Sequence, residues 1–118
     1  MGQIALEGME FFAYHGHFDE EQKIGNKYSI DVTIEADLSA PASSDSLRDT
    51  IDYGDVYQMV NAVMKKKHRL LEHVGHEIIA SVKAKFKHIE KINVVVSKFN
   101  PPIGGVCHKA KVVLEEVF

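Results

Sequence analysis

Four polar residues stand where local structure has little use for them. Glu72 follows Leu70-Leu71 at the head of an apolar-periodic segment, and Lys98 ends an aliphatic run just before Pro101-Pro102. Tyr53 opens another periodic segment behind Asp52, and Glu21 lies in a long glycine-containing connection. A carboxylate held at a helix start can accept two parallel N–H donors from a guanidine-like heterocycle. An amine at the end of an apolar strand can exchange protons with a substrate, and a phenol can donate one. Each residue also has a plainer role: a helix-start acid favoured by the macrodipole, a lysine snorkelling past a strand end, an amphipathic ring at a helix entry, one of three solvated acids. Seven histidines invite a metal. His15-Gly16-His17 has the spacing to present two imidazoles, with His73, His76 or His108 as a third ligand, but no HEXXH occurs and the sequence fixes no third position. The expected site is metal-free.

The elements that must position these groups follow from periodicity. From Tyr28 to Leu38 every even position is apolar and every odd one polar, the pattern of a strand with one wet face. Ile4 to Phe12 reads as a partner strand whose apolar set changes phase across Gly8, as a bulge produces. Tyr14 to Lys27 joins the two and is long for a hairpin loop. Residues 39–51 read as a connection. Asp52 is the expected N-cap of a helix starting near Tyr53, with Val56, Met59, Val60, Val63 and Met64 on its buried face and Lys65-Lys66-Lys67 at its end. A second helix is predicted over Leu71 to Phe86, then strands from Ile92 to Lys98 and from about Cys107 to Val117. The order ββααββ implies an α+β fold, a four-stranded antiparallel sheet with both helices on one face. The polar face of the 28–38 strand then meets bulk water or the solvent-filled centre of a ring of subunits.

The chain has 118 residues, 13.2 kDa, enough for one domain over 1–118. Its net charge of −3 gives no basic field for a phosphate backbone or an anionic bilayer, so neither nucleic acid nor membrane is an expected partner. Cys107 is the only cysteine, which excludes an intrachain disulfide and a cysteine-rich zinc set. The start lacks a signal-peptide layout and no apolar run spans a bilayer, so a cytoplasmic protein is expected.

Gly8-Met9 with Phe12, Tyr14-His15-Gly16, Glu21 before Ile24-Gly25, Asp52-Tyr53-Gly54, Leu70-Leu71-Glu72-His73, and Lys98 with Asn100-Pro101-Pro102-Ile103 occur in this order along nearly the whole chain. Together they resemble the dihydroneopterin aldolases of folate biosynthesis. The resemblance implies the tunnelling fold, in which four subunits close a β-barrel ring and two rings stack as a homo-octamer. It implies a pterin substrate, 7,8-dihydroneopterin, cleaved by a retro-aldol reaction to 6-hydroxymethyl-7,8-dihydropterin and glycolaldehyde, with epimerisation as a side activity. By the match Glu72 anchors the pterin beside the Leu71 backbone, and Glu21 contacts it. Lys98 is the acid/base residue; Tyr53, with the backbone near Ile51, reaches in from the adjacent subunit and relays a proton. No cofactor is implied, because the substrate's own C=N bond accepts the electrons that a lysine Schiff base otherwise takes up. Many relatives have Pro-Gly after Pro-Pro-Ile, where this chain has Gly104-Gly105 followed by Val106-Cys107-His108.

Three alternatives follow from the same residues. A dihydroneopterin triphosphate epimerase of this fold requires a basic cluster near the pocket mouth. A zinc-dependent pterin synthase requires His15 and His17 on a metal. A catalytically silent binding ring requires neither.

Overall fold

The structure, a computed structural model, describes residues 1–118. Strands β1 (Gly2–Ala13), β2 (Asn26–Ala36), β3 (Ile89–Phe99) and β4 (Lys109–Val117) form one antiparallel sheet in the order β1-β2-β3-β4. Tyr28, Ile30, Val32, Ile34 and Ala36 all face inward and are buried, so the alternation read from the sequence is the pleat itself. Ile30 lies opposite Val96, Val32 opposite Val94 and Ile34 opposite Ile92, which makes the aliphatic rows continuous across the sheet. No helix of the chain is long and apolar enough to cross a membrane.

The phase change at Gly8 is a bulge. Leu6 opposes Val32 and Met9 opposes Ile30, so β1 carries one residue more than its partner. Gly8 takes φ +72°, a left-handed conformation open to glycine without a Cβ penalty, and its N–H donates to Asp31 Oδ1 at 2.6 Å.

Helices α3 (Tyr53–Met64) and α4 (Leu71–Lys85) cover the inner face. Asp52 caps α3 as expected, its Oδ1 accepting the Gly54 N–H at 2.9 Å. A Cβ on Gly75 would come within 2.7 Å of Leu114 Cδ1, so this residue is what lets α4 lie directly on the sheet beside Val96 and Leu114. Only residues 86–88 link α4 to β3, so the two run antiparallel and α4 begins at the end of the sheet where β3 finishes.

Two connections hold more structure than their sequences indicate. The 14–27 segment contains a short helix, α1 (Asp19–Ile24), and the 39–51 segment contains α2 (Ser39–Ser44) and a 3₁₀ turn over Leu47–Asp49. All are single or barely double turns with no buried residue, so no apolar period reveals them. β3 starts earlier than the aliphatic alternation suggests, and β4 starts at Lys109 rather than Cys107.

No helix lies on the outer sheet face. Lys91 bridges Glu35 at 3.5 Å and Glu115 at 3.3 Å there, with Asn93 also donating to Glu115. The radius of gyration, 15.6 Å, exceeds the roughly 13.5 Å of a compact domain of this length, and the chain measures 52 × 23 × 22 Å.

Candidate active site

At one end of the sheet the inner face changes character. The last row pairs Tyr28 with Lys98, so a phenol and an amine replace the aliphatic pairs of the preceding rows. Lys98 is buried and its Nζ lies 6.0 Å from the centre of the Tyr28 ring. The ammonium donates to Glu21 Oε1, a residue 77 positions away.

Glu21 is aimed by its own helix. It is the third residue of α1, and its other oxygen accepts the Phe18 N–H at 3.1 Å, the reciprocal half of a capping box. Gly16 packs against it so closely that a Cβ there would stand 2.9 Å from Glu21 Oε2. Burial opposes ionisation of Glu21. The hydrogen bond and charge of Lys98, the Phe18 amide and the nearby His17 together outweigh that opposition and hold its carboxyl below the ordinary 4.5.

Beneath this pair the polar groups interlock. The Tyr28 hydroxyl donates to the His15 carbonyl at 2.8 Å, while burial and the Glu21 charge push its pKa up to about 12, so it stays a phenol. His15 is buried with its Nδ1 accepting the His68 N–H at 3.2 Å, and its Nε2 has no partner within the chain. Burial, then the charges of His68 and Lys98, lower its pKa to about 4, which keeps the ring neutral at physiological pH. Gly16 N–H donates to His68 O and Arg69 to His17 O, both at 2.8 Å, so the 14–18 stretch is tied to the turn preceding α4.

Glu21 and Lys98 border a cavity of about 300 Å³ with Glu20, Asn26, Asn100 and Pro102. Asn26 Nδ2 donates to Phe99 O at 2.8 Å, and Asn100, at φ 46°, turns the chain and donates its N–H to His108 O. Glu72 lies at the head of α4, which starts at this same end of the sheet. Its carboxylate is exposed and enters none of the chain's ion pairs. The backbone amides of Leu71 and Glu72 precede the first helical hydrogen bonds, which run from His73 and Val74 to Leu70 O. The Leu71 side chain packs on the core and fixes that edge in place.

Ile51 and Tyr53 are elsewhere. Ile51 is buried beside Ala36, Phe86 and Ile89, lining a separate cavity of about 320 Å³. Ala36 opposes Ile89, and Lys98 is nine residues further along β3, about 30 Å at strand rise. Tyr53 is 63% exposed at the start of α3. Within one chain, Glu21, Lys98 and the head of α4 share one end of the sheet, while Ile51 stands at the other.

The H-x-H motif does not present two converging imidazoles. His15 is committed to His68 inside the fold, whereas His17 stands by Phe18 on the surface. The sequence reading missed three features: α1, the direct pairing of Glu21 with Lys98, and the support of that pair by Tyr28 and His15. The one available signal was Asp19-Glu20-Glu21 with Gly25 following, acids in a first turn and a glycine just past the end of a short helix.

The family model described as "FolB: Dihydroneopterin aldolase" matches residues 4–115. The chain is 36% identical over 116 residues to a dihydroneopterin aldolase of Bacillus subtilis, covering 98% of this chain and 95% of that protein. It is 40% identical over 106 residues to one of Streptococcus pyogenes serotype M18, covering 89% of each. The crystal structure of E. coli dihydroneopterin aldolase in complex with neopterin superposes with a TM-score of 0.90 at 23% identity, over 98% of this chain and 99% of that one, a likeness of fold.

Proposed function

The chain belongs to the dihydroneopterin aldolase family, whose members are aldehyde-lyases, and from that premise we propose how its residues divide the work on 7,8-dihydroneopterin in folate biosynthesis. The head of α4 binds the pterin. Glu72 accepts the fork of N–H groups on the pyrimidine ring, and the free amide edge at Leu71 sits beside it. Glu21 contacts the substrate and holds Lys98 in position.

Lys98 serves as the acid/base residue, directly or through water. Loss of the proton from the hydroxyl on the second side-chain carbon turns that carbon into the carbonyl of glycolaldehyde as its bond to the first carbon breaks. The released electron pair moves into the substrate's C=N bond, whose nitrogen is protonated, leaving an enamine. A proton relayed through Tyr53 to the first carbon, with the ring nitrogen giving up the proton it had taken as its C=N bond re-forms, then gives 6-hydroxymethyl-7,8-dihydropterin. Recombination after the aldehyde has turned over gives the epimer. This route calls on no metal and no cofactor.

The observation that carries this reading is the Lys98–Glu21 pair, buried on a polar foundation beside the cavity. The cavity border carries one cation, already paired, against two carboxylates, which favours an uncharged side chain over a triphosphate.

We further infer that the working site lies between subunits of a homo-oligomer, an octamer of two stacked rings. Four features support it: Ile51 lies about 30 Å of strand away from Lys98, the outer sheet face has no cover, β1 and β4 are both free edges, and the single chain is elongated. We place the enzyme in the cytoplasm, in keeping with a fold that uses no disulfide. The test is incubation with 7,8-dihydroneopterin. Glycolaldehyde should appear in step with 6-hydroxymethyl-7,8-dihydropterin, from a particle of roughly 106 kDa, eight chains of 13.2 kDa. An intact pterin after prolonged incubation would remove the assignment.

A further inference from the structure

We propose that His68, His73 and Glu77 form a three-ligand site for a zinc-class divalent cation along the first turns of α4, built from side chains other than those assigned to the pterin. His73 and Glu77 are one helical turn apart and share a face, and His68 comes to them from the turn before α4. Their donor atoms all lie within 4.8 Å of one another.

The His68 ring is set for this role. It is buried, and its Nδ1 lies 3.0 Å from Lys66 O, an acceptor that can only be met by an N–H. In the neutral ring that a metal binds, that bond fixes the tautomer and turns the Nε2 lone pair toward Glu77, the arrangement by which a backbone carbonyl orients a metal-binding imidazole. Two acceptors then face each other, His68 Nε2 and Glu77 Oε1, at 3.4 Å. This is long for an N–H···O bond of 2.7–3.2 Å. It matches the roughly 3.4 Å between two donors that each lie about 2.0–2.1 Å from one tetrahedral zinc. His73 Nε2 is 3.8 Å from the same oxygen, and its side chain, 59% exposed, is free to swing the remaining distance.

Two imidazoles and one carboxylate suit zinc and its neighbours over magnesium or calcium, which take oxygen sets. Three protein ligands leave the fourth position to solvent, on the side of a depression that Lys66, Lys67 and Arg69 also border. Arg69 is turned to Asp19 and His17 O; the two lysines leave a positive rim that weakens the affinity for a cation. The ion would tie the 65–70 turn to α4, and with it His15 and the segment that carries Glu21.

The test uses tag-free, chelator-treated protein with zinc alone as the probe, read by calorimetry and thermal unfolding, and with cobalt for its visible spectrum. One zinc per chain should bind, raise the unfolding temperature and give the absorption of a tetrahedral nitrogen/oxygen site with cobalt. His73→Ala and Glu77→Gln, both at accessible positions, should weaken binding at least tenfold while leaving the circular dichroism of the metal-free protein unchanged. His17→Ala should bind as the parent does. Failure of the parent chain to bind zinc saturably overturns the site, as does binding that survives both His73→Ala and Glu77→Gln.

Discussion

The two ends of the sheet are built on different rules. At the Tyr28–Lys98 end, polar groups are buried and nearly every one is answered from within the chain: ammonium by carboxylate, carboxylate by amide, phenol by carbonyl, imidazole by amide. At the Ala36–Ile89 end the aliphatic packing runs to the edge, and α3 emerges from it with Tyr53 open to solvent. The first end is preorganised by its own fold, the condition for precise proton transfer. The second presents an exposed phenol on a rigid helix start. Under the proposed function the two ends are the halves of one site, brought together by a second copy.

The most severe way to break this contrast is to disable each end separately. Lys98→Ala should lower glycolaldehyde release by about 10²–10⁴-fold, with pterin binding largely kept. Tyr53→Phe should also be defective. If the two ends meet between subunits, rings reassembled from equal amounts of both variants regain about one quarter of parental activity, because a neighbouring pair of intact ends then occurs by chance. Mixed rings no more active than the separate variants would confine the site to one chain.

A smaller effect sharpens the account of the first end. Because Glu21 is held below its ordinary pKa, its ionised form stabilises the folded chain above pH 4.5, and that contribution is lost as pH falls through the lowered value. Glu21→Gln should therefore cost about 1.5–3 kcal/mol near neutrality. The gap in unfolding temperature between parent and variant should close in acid. A gap that stays constant across the titration would mean that the pair adds no stability.

The mildest change is at the other end. Asp52→Ala removes the cap of α3 and should cost about 1 kcal/mol, measured by denaturant unfolding. Any effect on turnover should come through Tyr53, which the cap positions, and not through pterin affinity.

How far these ends were legible from the sequence follows the same division. The aliphatic rows of β2 and β3, the bulge at Gly8 and the Asp52 cap are local or periodic, and each left a mark in residue order. Lys98 could be placed on the inner face by counting from Val94 and Val96. Its partner could not, because a pairing across 77 residues depends on where a long connection falls, and α1 has no buried residue to give it a period. His15 shows the opposite case. Its spacing to His17 pointed outward to a metal, whereas the fold turns it inward against His68, a residue masked in the sequence by the basic run before it.

The bulge at Gly8, pinned by Asp31, has a bearing on growth. It puts a step into the outer margin of β1, so a further strand docking there loses registry partway along. A step of this kind interrupts the flat ladder that strand-on-strand stacking needs, so open-ended growth along that margin is disfavoured.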